Sequence, residues 1–126
     1  MEVSVATRNA SVDAANVLIN GGTLEIRTGT PAAIGSSPTG TVLGTFTIAG
    51  TAFGSASSGS ATANAISDVT AGATGTAGHY VAKDSGGNPE RAGVVGTELT
   101  INNSSITSGD TLSVTSWTFA QPAGSN

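Results

Sequence analysis

The sequence predicts a mainly β fold: an antiparallel β-sandwich or open barrel of about 6–8 short strands with one N-terminal α-helix. Three observations lead to this prediction. Short runs rich in Val, Ile and Thr alternate apolar and polar residues, as half-buried strands do. Segments rich in Gly, Ser, Asn and Pro separate these runs. A single stretch near the start of the chain has a helical period.

The 126 residues are enough for one domain with a single core. We expect residues 1–126 to form one β domain. Within it, an N-terminal arm occupies residues 1–7, a helix 8–20, a β body 24–119 and a tail 120–126.

The helix is predicted from its start, its apolar face and its stop. Thr7 or Asn9 can act as the N-cap. The apolar residues then recur on one face, at Val12, Ala15, Leu18 and Ile19. Gly21 and Gly22 end the helix, because glycine readily adopts the left-handed conformation that follows a helix.

Several strands are predicted from alternation and from the turns between them. Leu24–Thr28 and Thr41–Ile48 read as strands, with Gly44 marking a bend or a close backbone approach. His79–Asp84 and Glu90–Val95 form a hairpin around a Gly-Gly-Asn-Pro turn, with Pro89 in the turn or at the strand start. Ser60–Ile66 alternates weakly and suits either a strand or a flexible linker.

The stretch Glu98–Phe119 reads as β structure throughout, with a tight turn at Ser108-Gly109-Asp110. Its last strand changes phase: Leu112 and Val114 share one parity, whereas Trp117 and Phe119 share the other. Strict pleating would turn Trp117 and Phe119 onto the opposite face. Either a bulge near Ser116 resets the register and both rings join the core, or another surface covers them.

Composition excludes several classes of function. Four basic residues stand against eight acidic ones, for a net charge of −4, so no basic stripe exists to bind nucleic acid. The sequence has no 18-residue apolar run and no recognisable signal peptide, and we expect no membrane association. The absence of Cys excludes disulfides and thiolate metal sites.

Only 10% of the residues are charged, against about a quarter in ordinary domains. A surface of this kind is weakly protected against self-association. We interpret it as a surface that neighbouring subunits cover. The alternative is a monomer that Ser and Thr hydroxyls keep soluble.

Residues with catalytic chemistry are few, and we expect neither an enzyme nor a cofactor nor a metal site. His79 is the sole imidazole, and the abundance of Ser and Asp gives no weight to a Ser-His-Asp arrangement around it. Asp84, Asn88 and Glu90 could present oxygens to Ca²⁺, but turn chemistry explains the same residues and the EF-hand pattern is not met.

Blocks of turn-forming and small residues along nearly the whole chain carry a family resemblance. They are residues 6–10, 28–32, 52–56, 61–66, 73–78, 84–88 and 105–116. These blocks resemble those of small proteins encoded by tailed bacteriophages and prophages. The resemblance implies a virion structural protein, and we expect a capsid decoration (cement) protein on the capsid surface. It supplies no catalytic residues.

The resemblance implies the partners as well: the major capsid protein and copies of the chain itself, with a homotrimer favoured. In this interpretation Trp117 and Phe119 are interface anchors, because buried aromatic rings dominate interface energetics. Val3 and Val5 lie on an arm that contacts the shell, unless residues 1–7 form a frayed end or an added edge strand.

The alternative function is a tail- or fibre-associated module that binds host glycan. Such a module needs exposed aromatic platforms, and the chain offers Tyr80, Trp117 and three Phe residues for this purpose.

Overall fold

The computed structural model describes residues 4–33 and 36–120. Within these ranges the protein is mainly β, with antiparallel sheets and one helix near the N-terminus, and this confirms the predicted fold class. Residues 1–3 of the predicted arm, Val3 among them, and residues 121–126 of the predicted tail lie outside the described residues.

The helix α1 spans Val5–Val17. The strands are β1 (Thr23–Arg27), β2 (Val42–Thr47), β3 (Ser60–Thr62), β4 (Val69–Thr70), β5 (Gly75–Thr76), β6 (His79–Lys83), β7 (Pro89–Val94), β8 (Leu99–Ile101), β9 (Ser105–Ile106), β10 (Thr111–Leu112) and β11 (Val114–Ala120).

Four antiparallel groups of strands make up the β structure. The largest is a four-stranded sheet in the order β2-β1-β6-β7, and a three-stranded sheet has the order β3-β11-β8. Two small pairs, β10-β4 and β5-β9, accompany them. The strands are more numerous and shorter than predicted, because Glu98–Phe119 is divided among three of these groups instead of forming one hairpin.

The predicted hairpin of β6 and β7 is present. Pro89 opens β7 opposite Lys83, at the end of the ladder where a missing N–H is tolerated. The Asp84 carboxylate accepts hydrogen bonds from the backbone N–H groups of Gly86 and Asn88, both at 2.9 Å. This side chain therefore shapes the turn between the two strands.

The helix begins at Val5, three residues before the predicted start. Ser4 is the N-cap, and its hydroxyl accepts a hydrogen bond from the Thr7 N–H at 3.2 Å. Val5 thus belongs to the helix and not to an extended arm. Leu18 is the C-cap and 57% exposed, so it does not join the predicted apolar face. Asn16, which is 5% exposed, lies on the buried side instead.

The core is one continuous cluster of apolar side chains from the helix, both larger sheets and the connecting segments. Its fully buried members include Val12, Ile19, Leu24, Ile26, Leu43, Phe46, Ile48, Tyr80, Leu99, Leu112 and Trp117. Because α1 contributes Val12 to this cluster, and Ile19 follows directly after its C-cap, the helix is fixed against the sheets.

A β-bulge in β11 resolves the change of phase seen in the sequence. Val114 pairs with Ile101 and Ser116 with Thr100, so Thr115 is an extra residue opposite β8. The Thr100 hydroxyl lies 2.7 Å from the hydroxyls of both Thr115 and Ser116, although consecutive residues of a regular strand point to opposite faces. The bulge therefore lets Leu112 and Trp117 both face the core.

Lack of space for a Cβ explains two glycines. A Cβ on Gly44 would lie 2.6 Å from Leu112 Cδ1, which is a side-chain atom, so this contact is not the close backbone approach that was one of the two predictions for this residue. A Cβ on Gly78 would lie 2.1 Å from the carbonyl oxygen of Gly29. At Gly78 the obstacle is backbone, which cannot rotate away as a side chain can.

We predict that Gly78→Ala destabilises the fold by about 3 kcal/mol or more, because the new methyl group separates β6 from residue 29. Urea denaturation followed by the fluorescence of Trp117, the single Trp, measures this change. The control is Gly72→Ala, where no atom lies within 4 Å of the added Cβ and the expected change is within about 0.5 kcal/mol. Equal stability of the two variants would contradict the packing described around Gly78.

Candidate functional site

Four aromatic rings and one guanidinium meet where β11, β6, β7 and residue 53 converge. Trp117 contacts Phe53 and Tyr80 edge to face, with ring centroids 4.8 Å and 5.9 Å away. The Arg91 guanidinium carbon lies 4.1 Å from the ring centroid of Phe119 and 5.9 Å from that of Trp117. We call Phe53, Tyr80, Arg91, Trp117 and Phe119 the aromatic–arginine cluster.

Arg91 links this cluster to the helix. Its Nη2 donates a hydrogen bond to Asn16 Oδ1 at 3.0 Å, whereas its buried Nη1 has no hydrogen-bond partner among residues 4–33 and 36–120. Burial lowers the pKa of Arg91, but a guanidinium remains charged in proteins at neutral pH. The charged guanidinium is stabilised by the face of the Phe119 ring and by its hydrogen bond to the Asn16 side-chain oxygen.

A row of polar side chains on α1 binds the backbone of the segment that follows β2. Asn9 Oδ1 accepts a hydrogen bond from the Gly59 N–H at 2.8 Å, and Asp13 Oδ1 accepts one from the Ala56 N–H at 2.9 Å. Asn20 Oδ1, beyond the end of the helix, accepts one from the Ala52 N–H at 2.8 Å. The helical segment therefore holds residues 52–59 through hydrogen bonds to their backbone N–H groups as well as through apolar packing.

Between α1 and residues 51–55 lies a cavity of about 160 Å³. Asp13, Asn16 and Asn20 border it from the helix side, and Thr51, Phe53 and Ser55 from the loop side. The cavity is thus adjacent to the aromatic–arginine cluster. Phe53 belongs to both, and Asn16 borders the cavity and is hydrogen-bonded to Arg91 of the cluster.

The predicted interface residues have different surroundings in the structure. Trp117 is 1% exposed and belongs to the core, so it offers no surface to a partner in this fold. Phe119 is half-buried beneath the Arg91 guanidinium. Val5 is 48% exposed and lies in the first turn of α1, far along the chain from the two rings. The structure therefore does not bring these residues together as one exposed patch.

Tyr80 has an unusual electrostatic environment. Its hydroxyl donates a hydrogen bond to Glu98 Oε1 at 2.9 Å. Burial raises the pKa of Tyr80 far above its ordinary value, and the neighbouring Glu98 carboxylate raises it further through charge repulsion and hydrogen bonding. Tyr80 is consequently a neutral hydrogen-bond donor over the ordinary pH range.

His79 is fully buried in β6. Its Nδ1 lies 3.0 Å from the carbonyl oxygen of Gly29, an arrangement in which Nδ1 carries the proton and donates it. Among the described residues Nε2 has no hydrogen-bond partner, and neither ring nitrogen is bonded to a Ser hydroxyl. The Ser–His pair that a hydrolase would need is thus not formed within residues 4–33 and 36–120.

The turn at Asp84, which could have presented oxygens to Ca²⁺, is occupied by its own hydrogen bonds. Those bonds, chiefly the one from the Asn88 N–H, lower the pKa of Asp84. A hydrogen bond to Asp84 raises the pKa of Glu90. In the part of the chain that the structure describes, no cluster of three His, Asp or Glu side chains is arranged to bind a metal ion.

Arg91, Asn16 and Asp13 were not identified from the sequence as parts of a site. Arg91 and Asn16 are 75 residues apart, and no local pattern predicts that they meet. The spacing of Asn9, Asp13, Asn16 and Asn20 was readable, because it places polar side chains on one side of a helix every three or four residues. This polar row lies beside the apolar stripe of the same segment.

We predict that the stability of the fold declines as the pH rises above 10.0, the ordinary pKa of tyrosine. The raised pKa in the folded state means that the unfolded chain loses the Tyr80 proton first, so deprotonation favours unfolding. Below pH 10.0 this contribution is fully present, and it is lost as the pH rises toward the folded-state pKa. Urea denaturation at a series of alkaline pH values measures the effect.

The control for this prediction is Tyr80→Phe. It removes the hydrogen bond to Glu98 at a cost of about 1 kcal/mol near neutral pH, and it also removes the alkaline loss that Tyr80 causes. Because the chain has one Tyr, the ultraviolet absorbance of tyrosinate reports this site alone. Tyrosinate formation near pH 10 without any loss of structure would contradict the described environment.

Within the described ranges, 4–33 and 36–120, the one helix is neither long enough nor apolar enough to cross a membrane. Comparisons with protein-family models, with curated proteins and with solved structures found no match to this chain.

Proposed function

We propose that this protein is a structural component of a tailed-bacteriophage virion, a capsid decoration protein without catalytic activity. It packs on the shell of the major capsid protein beside copies of itself, at the capsid surface. The resemblance of its turn and small-residue blocks to phage and prophage proteins suggests this role.

The observation that carries the proposal is the chemistry of the outer strand surfaces. The exposed strand residues are mostly short and uncharged. Most are threonines, namely Thr45, Thr47, Thr62, Thr70, Thr76, Thr111 and Thr115, and the others are Val94, Ser105, Ser116 and Ala120. Short side chains lose little rotamer entropy when a neighbour covers them, and hydroxyls require no charge desolvation. Such a surface suits repeated packing in an assembly.

The few basic side chains support the same interpretation. Arg27 and Lys83 both bind Glu25, at 2.8 Å and 3.2 Å, on adjacent strands of the four-stranded sheet. Arg91 is directed inward to the aromatic–arginine cluster. Arg27 and Lys83 are therefore paired within the chain and Arg91 is directed inward, so all three are poorly placed to attract nucleic acid or an anionic surface.

The alternative of a glycan-binding module on a tail or fibre receives less support. Tyr80 and Trp117 are each 1% exposed, and Phe53 is 5% exposed. Phe46 is fully buried and Phe119 lies under Arg91. None of these rings presents an open face on which a sugar chain could stack.

The proposal predicts self-association and binding to capsid shells. Light scattering on the purified chain should detect small oligomers, with trimers favoured. Expanded shells prepared without this protein should bind it saturably, with a fixed number of copies per shell. A stable monomer at high concentration that does not bind shells would contradict the proposal.

Two charge variants identify which sheet is covered. Thr45→Glu places a carboxylate on β2 of the four-stranded sheet, and Thr62→Glu places one on β3 of the three-stranded sheet. Burying an unpaired charge is costly, so shell binding should weaken about tenfold or more for the covered sheet. The other variant then serves as the matched control. Full binding by both variants would show that the threonine surfaces are not the interface.

A further inference from the structure

We propose that the exposed face of α1 binds the same face of a second copy of the chain, with the two helices antiparallel about a twofold axis near Ala10. This contact does not rest on the virion role, and it identifies a surface through which two copies meet. It is separate from the threefold arrangement favoured above, so in an assembly of trimers it links neighbouring trimers.

The exposed face of α1 is apolar. Ala6, Ala10 and Ala14 are all exposed and, being four residues apart, form one row along the helix. Val17 and Leu18 continue this row and are 62% and 57% exposed, the highest values among the exposed large apolar side chains of the described residues. We call these five residues the outer helix face. A continuous apolar surface of this kind favours contact with another protein surface.

The charged side chains of α1 lie away from the outer helix face. Asp13 binds the Ala56 N–H at 2.9 Å, and Arg8 is partly buried, with its Nε atom fully buried. A helix that faces water normally has charged residues on its exposed side. Here an approaching apolar surface meets no charge that would have to be desolvated.

The two ends of α1 favour another helix as the occupant. A helix carries about half a positive charge at its N-terminus and about half a negative charge at its C-terminus. The first turn of α1 has no acidic residue and its last turn has no basic residue, so its own side chains do not compensate these charges. An antiparallel helix places opposite partial charges side by side at both ends of the contact. A β-sheet has only a small net dipole and offers no such complement.

The spacing of the alanines favours a second copy of this same helix. A twofold contact requires a surface that is complementary to itself. With the axis at Ala10, Ala6 of each copy lies opposite Ala14 of the other, and the short side chains let the helix axes approach to about 8 Å. Val17 and Leu18 then cover the first turn of the other helix.

The size of the contact predicts a weak association. The helix has 13 residues and is therefore about 20 Å long. One face of such a helix is smaller than the roughly 800 Å² that each partner contributes to a stable interface. We expect a Kd of about 0.1–1 mM, so that copies pair mainly where they are locally concentrated.

Opposite charges at residue 10 test the twofold axis. Ala10→Glu and Ala10→Lys each place like charges against one another, so the association of either variant alone should weaken about tenfold or more. An equimolar mixture of the two variants should associate at least as tightly as the unmodified chain, because opposite charges then meet across the axis. Sedimentation equilibrium at protein concentrations up to about 1 mM measures these affinities.

The matched control is Ala65→Glu, the same substitution at an exposed residue outside the helix, and its association should equal that of the unmodified chain. Undiminished association of both Ala10 variants would overturn the proposal. Weakened association that the mixture does not restore would also overturn it, because the outer helix face would then meet a different surface.

A single cysteine gives an independent test that introduces no charge, since the chain has no Cys. In Ala10→Cys the two Cα atoms lie within the roughly 4.4–6.8 Å that a disulfide spans, so mild oxidation by copper–phenanthroline should produce a disulfide-linked dimer. Ala65→Cys is the control and should form little of this dimer. Equal dimer formation by the two variants would overturn the assignment.

Binding to expanded shells separates this proposal from the virion role. Loss of pairing by Ala10→Glu, with shell binding retained, supports the pair and leaves the virion role intact. Pairing of the unmodified chain without any shell binding supports the pair and contradicts only the virion role. Loss of shell binding by Ala10→Glu, with pairing unaffected, would assign the outer helix face to the shell and overturn the proposal.

Discussion

The structure depends on the β-bulge in β11. By adding Thr115 opposite β8, the bulge turns Trp117 inward, where its ring meets Phe53 and Tyr80. These contacts join the three-stranded sheet to the four-stranded sheet through one side chain. With strict pleating, Trp117 and Leu112 could not both be buried, and either the largest ring or a core leucine would face solvent.

Arg91 extends this junction to the helix. Its guanidinium stacks on Phe119 and binds Asn16, so a charged side chain performs the packing role of an apolar one. Asn9 and Asp13 of α1, with Asn20 just beyond it, then hold residues 52–59 by accepting hydrogen bonds from backbone N–H groups of this segment. A chain with few large apolar residues thus achieves a rigid body, while most of its exposed strand residues carry short hydroxyl side chains.

Local patterns in the sequence predicted the elements that depend on neighbours in the chain. Alternation identified β1 and β2, and the Gly-Gly-Asn-Pro turn identified the β6–β7 hairpin. The phase change marked Trp117 as exceptional, but parity alone cannot distinguish an inserted residue from a strand covered on both faces. The site was less predictable, because the Arg91–Asn16 contact joins residues far apart in the chain and the buried Asn16 replaces the expected Leu18.

Quenching of Trp117 fluorescence by iodide, measured over a range of protein concentrations, tests the central claim most directly. The chain has one Trp, so the signal has a single source. If the bulge places Trp117 in the monomer core, protection from iodide is strong and does not change on dilution. Protection that is lost on dilution would show that Trp117 is an interface residue covered by another subunit, and it would contradict the account.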